Sequence, residues 1–400
     1  MIILKRILII GAGFLQTFVI KKAKSLGYYT IAVDVNKNAE GFLFCDEYAT
    51  IDIVDENACL EYAKKMNIDG VLTAATDYGV LSVAHIAKEL NLVGADYDSV
   101  KRVKNKYQVR KSLSDAGADD TGTCYEIKDP GEINDLKDKI VYPVMVKPCD
   151  GSGSRGAHKA ETFQEFEKAC IDALDNSLSK RALIEPFISG REYGVESFVY
   201  DGEVNVLAIM GKTMTEPPYY AELGHFVPSG LSKETEDKIK ACVKKAIVAL
   251  NVDFGSVNMD ILVTDKGDVH IVDVGARMGG NLIGSHIIPL AMGIPYIENM
   301  IRAAVGDEVD FKPQSTNAVA TRILALTPGV VASVPDFKAI EKECNVIIEH
   351  HIKAGDTINE YHTNLDGCGY VVSCEKTIDD AKEKALSVKE LIDKSLIKQN

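Results

Sequence analysis

Two aspartates in short apolar segments are the residues whose types and spacing point most directly to chemistry. Asp260 and Asp273 each lie in a run of apolar residues, and Lys266-Gly267 separates the two runs. If those two residues form a two-residue hairpin loop, the register places Asp260 directly opposite Asp273. Carboxylates that face each other in apolar strands need a cation between them or must share a proton. Oxygen ligands suit Mg²⁺ or Mn²⁺, so the pair predicts a divalent metal site.

Two alternatives remain for this hairpin. The first is an exposed edge hairpin in which both acids are solvated, which is less favoured because neither acid lies in a polar segment. The second concerns the register. A three-residue loop with a glycine bulge would place Asp260 opposite Val272 and send the two acids to different faces.

A glycine-rich loop after a strand is the second candidate feature. The strand IVYPVMVKP contains Lys147, and the loop that follows includes Gly151, Ser152, Gly153 and Ser154. Backbone N–H groups of such a loop can point at phosphate oxygens, and the serines add hydroxyl donors. It is not a Walker A loop, because no Lys-Ser/Thr pair follows the glycines. A flexible linker is the alternative, but a lysine in an otherwise apolar strand is unusual unless it is paired.

Further polar residues follow this loop along the chain. Glu192 and Glu196 share a strand face, where carboxylates near a phosphate site suit ribose hydroxyls or a metal, although an ordinary polar strand face is equally expected. Residues 212–230 are rich in proline and glycine and predict a long substrate-binding loop. Glu222 and His225 are its polar candidates, although a single histidine is more often structural.

Composition narrows the class of partner. The 400 residues carry a formal net charge of −14, which disfavours nucleic acid or an anionic membrane as the main partner. Nine cysteines without a CxxC spacing predict reduced thiols in a cytoplasmic protein, not a disulfide framework or a zinc site. No apolar run reaches the roughly 20 residues that span a bilayer. The N-terminus enters a strand directly, so no signal peptide is expected.

The elements that position these residues alternate between strand and helix. RILII, the turn GAGFLQ and a helix to about Leu26 predict the βαβ opening of a parallel sheet. Gln16 stands where a dinucleotide fingerprint has its third glycine, so a tight structural turn is preferred over a nicotinamide site. Residues 98–116 predict one basic helical stretch, either a solvated face or the source of a phosphate contact. The tail from residue 317 mixes strands with one helix.

Seven segments follow one another along nearly the whole chain, namely GAG, KNK..VRKSL, VMVKP..GSGSRG, LIEPFISGRE, ELGHFVPSG, NMDILV and IVDVGARMGGN. In this order they resemble the ATP-grasp superfamily. The tail, with LALTPGV and IKAGD, resembles the C-terminal domain of the biotin-carboxylase-like branch and of the L-amino-acid ligases. The resemblance implies an α/β fold with α+β elements. A Rossmann-like parallel-sheet domain is expected at 1–97, an ATP-grasp domain at 98–310 with a lid at about 118–205, and an α+β domain at 311–400.

The resemblance also implies roles for individual residues. Asp260 and Asp273 are expected to bind the metal, while Arg277 and Lys147 are expected to be catalytic. Gly275 departs from the pattern, because many members carry Asn two residues after the second metal acid. ATP contacts are expected from two phosphate lysines, the glycine loop, the adenine hinge and the ribose carboxylate, namely Lys106, Lys147, Gly151, Ser152, Gly153, Ser154, Glu185, Phe187, Ile188 and Glu192. Substrate contacts are expected from Glu222, His225, Arg277, Gly279 and Asn281.

The implied activity is that of a ligase that forms C–N bonds. ATP, with Mg²⁺ or Mn²⁺, would convert a carboxylate into an acyl-phosphate, and an amine would then form an amide or peptide bond with release of ADP and phosphate. Amino acids or similar small metabolites are the expected substrates, and a homodimer is a candidate assembly. A phosphoribosylamine–glycine ligase of purine biosynthesis is the alternative within this chemistry. The alternatives of other classes are an ATP-binding regulatory protein without turnover and a nicotinamide enzyme.

Overall fold

The chain begins with a parallel sheet whose strands are connected by helices. The computed structural model describes residues 4–151, 153, 155–216 and 219–399. The sheet has the strand order β3-β2-β1-β4, and the central strand β1 is buried on both faces, as its apolar sequence predicts. Its elements are β1 (Arg6–Ile10), α1 (Gln16–Ser25), β2 (Tyr29–Asp34), a 3₁₀ turn (Glu40–Leu43), β3 (Glu47–Thr50), α2 (Glu56–Met66), β4 (Gly70–Leu72) and α3 (Val80–Glu89).

The turn between β1 and α1 is filled by groups of the chain itself. Gly11 has φ +96°, a conformation that favours glycine. The Gln16 side chain donates from Nε2 to the carbonyl of Ala74 at 2.5 Å. The Gly41 N–H donates to the carbonyl of Ala12 at 2.7 Å, so a neighbouring segment covers the turn. These contacts support the tight structural turn over a nicotinamide site.

The basic stretch predicted as one helix is two helices, α4 (Tyr97–Val103) and α5 (Lys106–Asp115). Asn105 separates them because its side chain accepts a hydrogen bond from the Gln108 N–H at 3.0 Å and caps α5. Asparagine favours such a cap over a helix interior. The interruption places Lys106 at the first residue of α5, where its N–H donates to the carbonyl of Cys149.

A small antiparallel sheet follows, with the strand order β5-β8-β6-β7. The helix α6 packs on it and contributes Phe166, which is fully buried in a separate apolar cluster. Thr162 caps this helix. The elements are β5 (Tyr125–Ile127), a 3₁₀ turn (Pro130–Leu136), β6 (Val144–Pro148), β7 (His158–Ala160), α6 (Phe163–Asn176) and β8 (Ala182–Pro186).

The remaining chain builds an eight-stranded sheet and a small three-stranded one. Their strand orders are β13-β12-β9-β10-β11-β14-β18-β16 and β17-β15-β19. The strands are β9 (Arg191–Tyr200), β10 (Glu203–Met214), β11 (Glu222–Val227), β12 (Gly255–Val263), β13 (Val269–Gly275), β14 (Ala318–Ile323), β15 (Gly329–Ser333), β16 (Ile347–His350), β17 (Thr357–Ile358), β18 (Gly369–Glu375) and β19 (Ile397–Lys398). The helices are α7 (Lys233–Ala249), a π-helical turn (Ile283–Ile287), α8 (Ile288–Met292), α9 (Tyr296–Ala304), α10 (Phe337–Cys344), a 3₁₀ turn (Asn364–Asp366) and α11 (Ile378–Ser395).

The predicted long loop at 212–230 is wrong in part, because β10 and β11 occupy nine of its 19 residues, including Glu222 and His225. Two of the glycines in and beside it lie inside strands, where neighbouring groups leave no room for a side chain. A Cβ at Gly211 would lie 2.1 Å from the Phe226 ring. A Cβ at Gly224 would lie 2.0 Å from the carbonyl oxygen of Thr321. Glycine here reflects close packing rather than a flexible loop.

The β12–β13 hairpin turns through three residues, so the predicted two-residue loop is also wrong. The Thr264 N–H donates to the carbonyl of Asp268 at 2.9 Å, which closes the loop. Gly267 has φ +80° inside it, the position where a three-residue loop favours glycine.

A bulge in β13 restores the predicted opposition of the two acids. Ile261 pairs with Ile271, whereas Asp260 pairs with Asp273, so Val272 has no residue opposite it. This extra residue compensates for the extra loop residue. The facing of Asp260 and Asp273 is therefore confirmed, although it arises from two irregularities instead of one regular ladder.

The eight-stranded sheet continues across the predicted domain boundary at residue 310. In the pairing of β11 with β14, Phe226 lies opposite Ala320. The division of the chain at residues 97 and 310 stays a prediction. Within the described part of the chain, no helix is both long and apolar enough to cross a membrane.

The small antiparallel sheet provides a test of the packing. Phe166→Ala should lower the free energy of unfolding by about 3–5 kcal/mol, because a fully buried ring leaves a cavity. Urea unfolding followed by circular dichroism measures the loss. Ile171→Ala is the control on the same helix, where the side chain is 45% exposed and the loss should be much smaller. Equal losses in the two variants would contradict this packing.

Candidate active site

Each of the two opposed aspartates is held by a lysine from another element. Asp273 accepts from Lys106 Nζ at 2.5 Å on both carboxylate oxygens. Asp260 accepts from Lys212 Nζ at 2.6 Å. Lys106 begins α5 and Lys212 lies in β10, so the repulsion between the two acids is offset by ammonium groups from two separate parts of the fold.

The two acids and Lys106 line a cleft formed by distant segments of the chain. The loop after β4, the junction of α4 with α5, the loop after β6 and the β12–β13 hairpin all contribute. Most of its lining side chains are charged, and both signs are present, which suits a charged ligand. The lining residues are Asp77, Val103, Lys104, Lys106, Asp150, Gly151, Asn258, Asp260, Asp273, Val274, Gly275 and Arg277.

Arg277 is fixed in the cleft by a two-bond ion pair with Asp77. Its Nε donates to Asp77 Oδ1 at 3.1 Å and its Nη2 donates to Oδ2 at 2.9 Å. Burial alone would lower the pKa of Arg277, but Asp77 outweighs it and raises that pKa. A Cβ at Gly275 would lie 3.1 Å from the guanidinium carbon. Glycine at 275 therefore gives the Arg277 side chain its space.

Glu185 organises the cations beside the cleft. Its carboxylate accepts from Arg110 Nε at 2.5 Å and pairs with Lys147 Nζ at 2.7 Å. Burial would raise the pKa of Glu185, but the two cations hold it at about 2. Lys147 also lies 3.3 Å from the carbonyl of Val272, the bulged residue of β13, and thereby connects to the hairpin.

Lys212 is a buried ammonium among three carboxylates. Its side chain is 1% exposed and lies 2.6 Å from Asp260, 2.6 Å from Glu222 and 3.7 Å from Glu192. Burial would lower the pKa of Lys212, yet the three acids raise it. Burial raises the pKa of Glu192.

Glu222 connects this cluster to the C-terminal part of the chain. Besides Lys212, it accepts from the side-chain amides of Asn281 and Asn364. Burial would raise the pKa of Glu222, but Lys212 lowers it to about 2. His225 Nε2 lies 3.7 Å from Glu222, and burial lowers the pKa of this histidine, so it is neutral near pH 7.

Behind the cleft, Glu196 is fully buried and holds three donors. The Tyr296 hydroxyl donates at 2.5 Å, Asn258 Nδ2 at 3.0 Å and the Gly279 N–H at 3.1 Å. Burial is the largest influence and raises the pKa of Glu196 to about 7. Through its hydrogen bonds with Asn258 and Gly279, this carboxyl group connects the hairpin to the loop that carries Arg277.

The predicted site residues fall into connected groups. Lys106, Gly151, Asp260, Asp273 and Arg277 line one cleft, and Lys147 and Glu185 lie beside it. A second group gathers around Lys212, where Glu192, Glu222, His225 and Asn281 connect directly or through Glu222.

The other predicted residues are less directly connected to the cleft. The Gly279 N–H is bound to Glu196. The Phe187 N–H donates to Pro143, and Ile188 is half-buried next to it. Gly153 has φ +65°, while the predictions for Ser152 and Ser154 lie outside the described residues.

Sequence reasoning missed several residues of the site. Asn258 has a local signal, since it lies two residues before Asp260 on the same strand face. Asp77 follows a parallel strand at its carboxyl end, where ligands bind in open α/β sheets. No local pattern predicts Arg110, Lys212 or Asn364, because their partners lie far away in sequence.

The oxygen donors suit a hard divalent cation. Asp260 and Asp273 supply carboxylates, and Asn258 adds an amide in the same cleft. Such oxygen ligands are the ones that Mg²⁺ prefers. Over the described ranges, no group of three or more His, Cys, Asp and Glu residues is placed to hold a metal.

Comparison with known proteins agrees with this fold. Residues 140–285 match the family model of the ATP-grasp domain. The chain therefore contains an ATP-grasp domain, as its motifs predicted. Members of the family are ligases that form C–N bonds and use ATP and Mg²⁺. The predictions of an ATP-grasp ligase and of ATP and Mg²⁺ as its cofactors are confirmed at the level of the domain family.

Three solved structures resemble the whole chain. Phosphoribosylglycinamide synthetase from Anaerococcus prevotii is 25% identical, with a TM-score of 0.76 and coverage of 99% of this chain and 100% of that one. L-amino acid ligase from Bacillus licheniformis is 20% identical, with a TM-score of 0.85 and coverage of 99% of both chains. The biotin carboxylase domain of 2-oxoglutarate carboxylase from Hydrogenobacter thermophilus, solved with MgADP, is 17% identical, with a TM-score of 0.74 and coverage of 96% and 89%.

The buried Glu196 predicts a specific dependence of stability on pH. Its pKa of about 7 lies above the ordinary value of 4.5, so the folded state keeps a proton that the unfolded chain has lost. This contribution is fully present below pH 4.5 and is lost as pH rises through 7. At about 1.4 kcal/mol per pKa unit, the wild type should lose roughly 3 kcal/mol more than Glu196→Gln between pH 4.5 and pH 8.

Urea unfolding of both proteins at several pH values measures this difference. Glutamine has the shape of the protonated acid and does not titrate. The contributions of all other titrating groups to the free energy of unfolding therefore cancel when the two proteins are compared. Parallel pH profiles for the two proteins would contradict a raised pKa at Glu196.

Proposed function

We propose that the chain is an ATP-dependent carboxylate–amine ligase that proceeds through an acyl-phosphate. The observation that carries the proposal is the opposition of Asp260 and Asp273 in one cleft with Lys106 and Arg277. This cleft belongs to a chain with an ATP-grasp domain. ADP, phosphate and an amide are the expected products.

The nucleotide would be held by the lysines and loops beside the cleft. Lys106, Lys147 and backbone N–H groups of the glycine-rich loop, among them those of Gly151 and Gly153, would contact the phosphates. Residues 185–188 would receive adenine and Glu192 the ribose. Glu185 would act indirectly, because its carboxylate already pairs with Arg110 and Lys147.

The acid pair would hold Mg²⁺ or Mn²⁺, which supplies a Lewis acid for phosphate oxygens. Asp260 and Asp273 have the required charge and face each other. Lys106 and Lys212 neutralise these acids in the structure described here. Lys106 also lines the cleft, where its ammonium group can shift toward a phosphate oxygen.

The reaction needs charge stabilisation more than covalent chemistry by side chains. A carboxylate oxygen of the first substrate bonds to the γ-phosphorus of ATP, and ADP leaves. The amine nitrogen then bonds to the acyl carbon, the C–O bond to phosphate breaks, and the nitrogen loses a proton. Arg277, oriented by Asp77, presents a fixed positive charge to the developing oxyanion.

The charges around Lys212 support an amino acid or another cationic amine as the second substrate. One ammonium faces three carboxylates, from Glu192, Glu222 and Asp260, and the lowered pKa of His225 leaves that ring neutral near pH 7. The cluster therefore has excess negative charge, which attracts an α-ammonium group. Asn281 would contribute through its bond to Glu222, and Gly279 through its bond to Glu196.

A purine-pathway ligase is the second candidate, because phosphoribosylglycinamide synthetase from Anaerococcus prevotii is 25% identical to this chain. Such a substrate carries a phosphate, which requires accessible basic side chains. Lys212 is buried and paired with three acids. This environment favours an amine without a phosphate.

The proposal also includes a cytoplasmic location and small-molecule substrates. All nine cysteines are free thiols, which suits a reducing compartment. A homodimer stays a prediction.

The metal acids give the first test of turnover. Asp273→Ala should lower kcat for ADP release by about 10²-fold or more, because a ligand that stabilises the transition state is lost, while the circular dichroism spectrum stays unchanged. Asp265→Ala is the control, since Asp265 is an exposed acid in the turn of the same hairpin. Turnover of Asp273→Ala at the wild-type rate would contradict the proposal.

A screen for ADP and phosphate release identifies the substrates. Pairs of amino acids, together with glycine plus phosphoribosylamine, should include one combination that releases phosphate and yields an amide by mass spectrometry. ATP binding without phosphate release in any combination would favour the regulatory protein without turnover.

Glu222 tests the class of amine. Glu222→Gln should raise the KM of the amine at least tenfold, through loss of a charge-assisted contact, and should leave the KM of ATP within about twofold. Glu216→Gln, an exposed acid before β11, should change neither constant. Equal effects on both KM values would indicate a general structural role for Glu222.

A further inference from the structure

An asparagine lies directly across the hairpin from Gly275. Asn258 pairs with Gly275, two positions from the pair formed by Asp260 and Asp273. Residues two apart on a strand share a face, so Asn258 and Asp260 point to the same side of β12. Both line the cleft, together with Asp273.

The amide of Asn258 has a fixed orientation. Its Nδ2 donates to the buried Glu196 at 3.0 Å, on the same oxygen that accepts from the Gly279 N–H. The other end of the amide, Oδ1, lies beside Arg277, which lines the same cleft. There it lies 3.4 Å from Nη1 of Arg277, a long contact for a hydrogen bond.

The Arg277 side chain occupies the space beside position 275, which leaves little room there for an amide side chain. A side chain at Gly275 would meet the Arg277 guanidinium at 3.1 Å from its Cβ. Arg277 is held in that place by its two bonds to Asp77. An amide on β12 reaches the same cleft without displacing the arginine.

We propose that Asn258 Oδ1 is the third protein ligand of the divalent ion, beside Asp260 and Asp273, and replaces the amide that Gly275 lacks. The inference rests on the proposed function, which places the ion between these two acids. It makes Glu196 a positioning residue for this ligand, because Glu196 fixes the amide nitrogen. Two carboxylates and one amide give an all-oxygen set that suits Mg²⁺ or Mn²⁺.

Metal binding without turnover tests the inference. Mn²⁺ is titrated into the full chain in the presence of ADP, and free Mn²⁺ is followed by electron paramagnetic resonance. Asn258→Ala should raise the Kd for Mn²⁺ at least tenfold. Asn258→Asp keeps an oxygen and should bind Mn²⁺ within about threefold of the wild type, or more tightly. Asn205→Ala, which replaces an asparagine in β10, should bind as the wild type does.

A change of metal preference identifies the ligand directly. Asn258→Cys places a thiol at the proposed position and should shift the preference from Mn²⁺ toward Cd²⁺ by at least tenfold, because thiolate favours softer metals. Asn205→Cys should not change it. Calorimetric titration with Cd²⁺, under the same ADP concentration, supplies the second affinity.

The outcomes separate the inference from the proposed function. If the wild type binds Mn²⁺ and Asn258→Ala binds equally well, the inference is overturned while the metal site stands. Equal weakening of Mn²⁺ binding by Asn258→Ala and Asn258→Asp, without a change of metal preference in Asn258→Cys, would also overturn the inference. That result would indicate that Asn258 acts only through its hydrogen bond to Glu196. If the wild type itself binds no Mn²⁺ with ADP, both the inference and the metal part of the proposed function fail.

Discussion

The opposition of two carboxylates across the β12–β13 hairpin is the constraint to which the surrounding charges respond. Asp260 and Asp273 face each other in a ladder, where like charges destabilise the pairing. Lys106 and Lys212, from two separate elements, offset that repulsion. Each lysine belongs to an element that carries further polar groups, so the acid pair determines which parts of the chain must meet.

Charge compensation extends outward from this pair in discrete steps. Lys212 also forms an ion pair with Glu222, and Arg277 forms one with Asp77. Removing one member of a buried ion pair typically costs about 3–5 kcal/mol, because the partner is left without compensation. Each buried charge is therefore stable only while its partner is in place. A charged ligand that binds in the cleft has to displace the present partner of the group that it contacts.

The sequence predicts the local parts of this arrangement and not the distant ones. The apolar runs around Asp260 and Asp273 predict the strands, and a glycine between them predicts the turn. The facing of the two acids is correct, but the loop length is not, because the bulge at Val272 compensates for a residue that the turn adds. Bulges leave little trace in a period-two pattern.

Predictions that depended on glycine content and on distant partners were the weaker ones. Gly224 contributed to the prediction of a loop at 212–230, whereas its close contact with Thr321 requires glycine inside a strand. The burial of Lys212 among acids likewise follows from three-dimensional packing rather than from its neighbours in sequence. Residue patterns therefore predicted the N-terminal parallel sheet and the acid pair, and the family resemblance predicted the fold class, while the partners of each charge required the structure.

The contact of Glu222 with Asn364 has a consequence for how the protein is made. Asn364 lies near the end of the chain, and it holds a carboxylate that also pairs with Lys212. On a ribosome, where domains fold as they emerge, the acid pair and its lysines are synthesised well before this amide. The pocket around Lys212 is therefore completed only after the segment that carries Asn364 has emerged, so a product truncated before residue 364 would contain the acid pair without a finished second pocket.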